Sequence, residues 1–144
     1  MISTKKPRGF SPRYNVVGCF LERDGKILLV LRLPNKSEGG KWGVPAGKMD
    51  PGETPLEAII REIKEETAMT ITPQEASFFE TYYVRYPEYD FVYNVFHAQV
   101  PANQEARINP DEHQEYRWAT PQVALKMPLV NHQDDCVKFF YYRE

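Results

Sequence analysis

Three glutamates, Glu62, Glu65 and Glu66, recur at i, i+3 and i+4 inside the run Arg61-Glu62-Ile63-Lys64-Glu65-Glu66. On an α-helix, at about 100° per residue, that spacing puts the three carboxylates within roughly one quadrant of the surface. Like charges one turn apart repel, so a helix keeps such a cluster only where something positive sits against it. A hard divalent cation, Mg2+ or Mn2+, prefers oxygen ligands and is the simplest object that fits. The helix itself is well punctuated. Thr54 is the N-cap candidate, Pro55 suits the first helical position, and Glu57 completes a capping box with Thr54. Leu56, Ile60 and Ile63 make an apolar stripe set about 120° from the carboxylates. One face is therefore expected to pack while its neighbour stays open.

A run such as this is ordinarily a solvated face laced with ion pairs. Two upstream residues argue against that here. Five residues separate Gly47 from Glu53, and seven more separate Glu53 from Arg61-Glu62. At this point Gly47–Met69 resembles the Nudix box. That pattern runs glycine, five residues, Glu, seven residues, Arg-Glu, an aliphatic residue, any residue, Glu-Glu, any residue, glycine, an aliphatic residue. Gly47, Glu53, Arg61, Glu62, Glu65 and Glu66 occupy its fixed positions, and Ile63 and Met69 its apolar ones. One position departs, with Ala68 standing where the box has its second glycine.

The resemblance implies a Nudix-type α/β/α sandwich around a central mixed β-sheet. It also implies a reaction, the Mg2+-dependent hydrolysis of a nucleoside diphosphate linked to another moiety by water attack on phosphorus. Glu62, Glu65 and Glu66 match the metal-binding and base positions. Gly47 matches a residue whose carbonyl joins the coordination shell, Glu53 a metal-associated acid, and Arg61 an arginine that orients the glutamates. Some subgroups add an acid on a later loop, for which Glu112 is the candidate. Lys48, Arg32, Arg85 and Tyr86 are candidates for substrate contact. The subgroup marker beyond the box is uninformative, because Tyr86-Pro87 offers both of its alternatives. The short chain leans toward a nucleoside or deoxynucleoside triphosphate. The competing reading is a non-catalytic Nudix-like binding or sensor module. Lost box acids would signal it, and the chain has lost none.

The rest of the chain agrees with one domain. A length of 144 residues allows a single core. A net charge of −2 argues against bulk nucleic-acid binding; the resemblance implies a small-molecule nucleotide as partner, with a homodimer left open. Cys19 and Cys136 are too few for a disulfide framework. No apolar run approaches the ~20 residues of a membrane span, and no secretory signal is evident, so the cytoplasm is the expected location. Residues 1–12, rich in Lys, Arg, Pro, Ser and Gly, read as a flexible N-terminal arm ahead of a domain spanning 13–144.

Within the domain, Asp24-Gly25 between two apolar runs marks a hairpin. A short strand is expected over 42–45, an irregular loop over 46–53, and two long strands flanking Pro87-Glu88. A short strand from Gln114, a helix capped by Thr120-Pro121 and a last amphipathic helix from Asn131 complete the chain. The order implies a mixed sheet with helices on both faces.

Overall fold

The computed structural model describes residues 1–142. The long second strand, β2 (Pro12–Arg23), organises the sheet, while β1 is only Ile2–Ser3. Asp24 and Gly25, at φ 52° and 76°, turn β2 into β3 (Lys26–Arg32). Both central residues of a tight hairpin turn of this kind need positive φ, which is what Asp-Gly supplies. The two strands pair only at the hairpin end, Glu22 with Ile27 and Arg23 with Lys26. They then diverge. β2 takes β7 (Asp90–Gln99) as a parallel neighbour along nearly its whole length. β3 takes β8 (His113–Ala119) and, on its other side, β4 (Trp42–Gly43). β6 (Ala76–Arg85) pairs antiparallel with β7, closing a hairpin at Tyr86–Tyr89.

Alternation along β2 and β3 assigns the two faces. Val17, Cys19, Leu21 and Leu28 point to one core, shared with Ile59 and Ile63 of α1 (Pro55–Thr67) and with Met69 and Ile71. Phe20, Ile27 and Leu29 point to the other, shared with Ala124 of α2 (Pro121–Ala124) and with Cys136 and Val137 of α3 (Gln133–Tyr141). The result is the mixed sheet between helical layers that the element order implies.

Several local expectations change. Residues 1–12 are tied down rather than trailing as an arm. Ile2 and Ser3 pair with Val84 and Tyr83, and Phe10 is buried with its ring edge-on to Tyr83. The stretch 46–53 is irregular only in part, because Ala46–Lys48 forms β5 against Val16–Gly18 of β2. The buried stripe of α1 is centred on Ala58, Ile59 and Ile63, with Leu56 and Ile60 only flanking it. The capping box is present in full, Glu57 N–H to Thr54 Oγ1 at 3.2 Å and Thr54 N–H to Glu57 Oε1 at 2.9 Å. Ala68 ends the helix at φ 64° and ψ 3° and donates its N–H to Lys64. It takes the left-handed conformation that glycine ordinarily supplies.

Candidate active site

Arg61 is the hub of the box. Its Nε and Nη2 grip Glu53 from both sides, at 2.7 and 2.8 Å, and its Nη1 reaches Glu62 at 2.8 Å and Glu65 at 3.2 Å. Nη2 also donates to the Lys48 carbonyl at 3.1 Å. Asp50 stands 3.3 Å from Nε. One planar guanidinium with five donors can serve so many acceptors, and a lysine cannot. Glu53 is locked further by the Asp50 N–H at 2.7 Å. Its hydrogen bonds with Arg61 and then the Asp50 backbone hold its carboxyl down at about 2. The charge crowding inferred from sequence is thus relieved at Glu53, Glu62 and Glu65 by the chain's own arginine.

Glu66 is different. Both Glu62 and Glu66 are 8% exposed, on the side of α1 that packs against β5. Their carboxyls hydrogen-bond to each other. Burial pushes the Glu66 carboxyl well above the usual carboxylate range, and the neighbouring Glu62 pushes it further. Burial also raises Glu62. The Ala46 N–H donates to Glu66 Oε1 at 3.3 Å, which fixes the side chain against β5. Gly47 faces the Glu62 carboxyl so closely that a Cβ there would overlap it. Glycine is required here for close approach. Among the described residues, no three His, Cys, Asp or Glu side chains form a ready-made metal cage. The donor set nonetheless fits a hard cation. It consists of carboxylates and backbone carbonyls, and Glu66, buried beside Glu62, has no cationic side chain of its own within ion-pair distance among the described residues.

A cleft opens beside this cluster, on the α3 side of the sheet. Its inner part, about 140 Å³, reaches Ala46 and Glu66 at one end and Gln133 at the other. Its outer part, about 640 Å³, runs past Gly47 and Lys48 to Tyr14 and Tyr89. Arg32 and Tyr86 line both parts. Arg32 Nε donates to the Ser37 carbonyl at 2.7 Å, and the Tyr86 hydroxyl meets Glu38 at 3.4 Å. Lys48 Nζ lies 3.7 Å from the centre of the Tyr14 ring, on the outer wall. Glu112 stands on the loop before β8 with Lys36 as its ion-pair partner at 3.9 Å, and its charge acts on Glu66. Arg85 lines neither part. Its guanidinium donates to the Arg8 carbonyl at 2.7 Å and pairs with Asp90 at 3.8 Å, which anchors the N-terminal segment rather than a ligand.

Glu38, His113, Asn131 and Gln133 also line the inner cleft, and sequence reasoning did not single them out as site residues. They come from two loops, a strand start and a helix start with no shared spacing. Glu38 alone carried a signal, its place beside Gly39-Gly40 in a turn. Trp42 brings the last group into place: its N–H donates to Pro128, and its carbonyl accepts from Val130, each at 2.8 Å.

Comparison with known proteins gives a family and a fold. The profile of the NUDIX domain matches residues 12–140. The CTP pyrophosphohydrolase of Escherichia coli K12 is 32% identical over 118 residues, which cover 80% of this chain and 82% of that one. The 8-oxo-dGTP diphosphatase of the same organism is 35% identical over 72 residues, 50% of this chain and 54% of the relative. The chain thus matches about half the length of that second relative. The solved structure of the MutT protein from Methanosarcina mazei Go1 superposes with a TM-score of 0.78 at 28% identity, covering 90% of this chain and 93% of that one.

Proposed function

The chain belongs to the Nudix family, and on that premise we propose a Mg2+-dependent pyrophosphohydrolase whose substrate is a nucleoside or deoxynucleoside triphosphate. The observation that carries this reading is the single arginine that holds Glu53, Glu62 and Glu65 in place beside the buried Glu66, next to a cleft whose inner and outer parts are about 140 and 640 Å³. The likeness to the CTP pyrophosphohydrolase supports a triphosphate.

Glu62, Glu65 and Glu66, with Glu53 and the backbone at Gly47, are the groups that would hold the cation. Bound there, Mg2+, or Mn2+ in its place, neutralises phosphate charge and lowers the pKa of water. The remaining work falls to the protein. Arg61 keeps the glutamates in register. Glu62, Glu65 or Glu112 accepts a proton from the attacking water. The water oxygen bonds to phosphorus and a P–O bond of the α–β phosphoanhydride bridge breaks, so a triphosphate yields a monophosphate and pyrophosphate. Phosphoryl transfer consists mostly of positioning and charge neutralisation, so this set of groups suffices.

Among the described residues, no helix is long and apolar enough to cross a membrane. Cys19 and Cys136 are free and buried, which suits a reducing compartment, and we place the enzyme in the cytoplasm. The reaction is tested by incubating the full chain with a panel of nucleotides and Mg2+ and measuring released phosphate and pyrophosphate. Pyrophosphate from at least one triphosphate is expected. Absence of turnover on every nucleotide would return the chain to the non-catalytic reading.

A further inference from the structure

Gln133, at the first position of α3, is buried beside the inner cleft. The Val44 N–H donates to its Oε1 at 3.1 Å. The two ends of an amide differ, one accepting and the other donating. This backbone bond therefore settles which way the side chain is turned. The oxygen is spent, and Nε2 is left as a buried donor without a hydrogen-bond partner. Buried polar groups without partners are costly and rare, and such a group in a cleft wants an acceptor from outside.

Glu38 supplies the complementary group. It sits at φ 52°, in the left-handed region, and its carboxylate accepts from the Asn131 N–H at 2.7 Å and from the Tyr86 hydroxyl at 3.4 Å. Those two bonds leave lone pairs free on both oxygens. Tyr86, Phe91 and the valines at 16, 30 and 84 form the walls between, so ring faces and apolar surface flank the polar pair. His113 Nδ1, also buried and unpartnered, faces the same space.

The volume limits what can enter. The inner cleft is about 140 Å³, close to the ~150 Å³ of a cavity that holds one benzene ring. A single six-membered ring fits, and a fused purine overfills it. We propose that this cleft seats the base of a pyrimidine nucleotide, with Gln133 Nε2 donating to its edge and Glu38 accepting from it. Cytosine offers N3 beside its amino group, and uracil offers O4 beside N3–H. The cleft touches Glu66 and Ala46, so a base seated there directs its phosphates toward α1. The proposal rests on the nucleotide reading above but concerns the base alone, so it can be tested without turnover.

The test is calorimetric titration of the full chain with CMP, UMP, AMP and GMP in EDTA. The two pyrimidine monophosphates should bind at least about tenfold more tightly than the purines. Gln133→Glu keeps an acceptor for Val44 and replaces the donor with an acceptor. It should weaken pyrimidine binding about tenfold and leave purine binding unchanged. Glu38→Gln, on the rim, should act in the same direction and serves if the buried change compromises folding. Purines binding as well as pyrimidines, or pyrimidine binding unaltered in both variants, overturns the proposal. Efficient hydrolysis of purine triphosphates alongside that result would leave the reaction standing and remove only the base assignment.

Discussion

Arg61 holds Glu53 by two parallel bonds, Nε to Oε2 at 2.7 Å and Nη2 to Oε1 at 2.8 Å, across eight positions of sequence. The pair bridges the loop ahead of α1 to the middle of the helix, so one interaction sets both the loop and the glutamates beyond it.

Arg61→Lys keeps the charge and loses the fork. Activity should fall while the melting temperature changes little. Glu53, now held down at about 2, should titrate closer to its ordinary range. Its folded-state pKa is depressed, so the pair's contribution is present above the unfolded pKa and is lost as pH falls through the folded one. The checks are the Glu53 carboxyl chemical shift from pH 1.5 to 6 and turnover on the best substrate. A variant that matches the parent in both would reduce Arg61 to a surface charge.

Glu66→Gln retains the hydrogen bond from Ala46 and removes one of two crowded acids, so the protein should stay folded. Turnover should drop by at least ~10²-fold, as on loss of a principal electrostatic group. Glu65→Gln should do the same from the exposed side of the helix. Steady-state kinetics at saturating Mg2+ decide it, and near-native kcat in either variant would contradict the site assignment.

Ala68 takes φ 64° where L-residues other than Asn and Asp are strained. Ala68→Gly should stabilise the protein by ~1 kcal/mol, about 3 °C in Tm for a chain of this size. Activity should stay within a few-fold, because the carboxylates lie at or before Glu66, on residues that are helical ahead of the cap. Thermal unfolding gives the answer. A lower Tm would mean that the helix exit is not strained.

His113 is buried, and desolvation first, then Arg32, holds its pKa down at about 4. In the unfolded chain histidine titrates near ~6.5. The unfolded state therefore binds more protons between those values, and stability falls as pH drops through that window. His113→Asn should flatten the dependence of Tm on pH between 6.5 and 4 relative to the parent. Parallel curves for the two proteins would show that His113 does not set the acid sensitivity.

Local chemistry was readable along the chain. The helix start at Thr54-Pro55 with Glu57 and the Asp24-Gly25 turn each depend on neighbours within a few positions, so spacing alone determined them. Ala68 was readable in part. The residue was visible as a departure from the box, while the left-handed conformation it takes is a matter of how its C-terminal neighbours pack. Met69 and Ile71 are buried in the core under α1, and that burial holds the chain in the left-handed exit. The rest belongs to tertiary structure. Residues 1–12 look mobile by composition, yet Ile2, Ser3 and Phe10 find partners at β6, far along the sequence. Arg85 resembles a ligand residue in its strand and is instead taken up by the Arg8 carbonyl and Asp90. The inner cleft gathers Glu38, His113 and Gln133 from segments with no common period, because the β3–β4 loop, the start of β8 and the start of α3 meet only once β2 has parted from β3. Spacing records which residues share a helix face. Only the packed sheet decides which distant segments share a cavity, since that depends on strand order rather than on any local pattern.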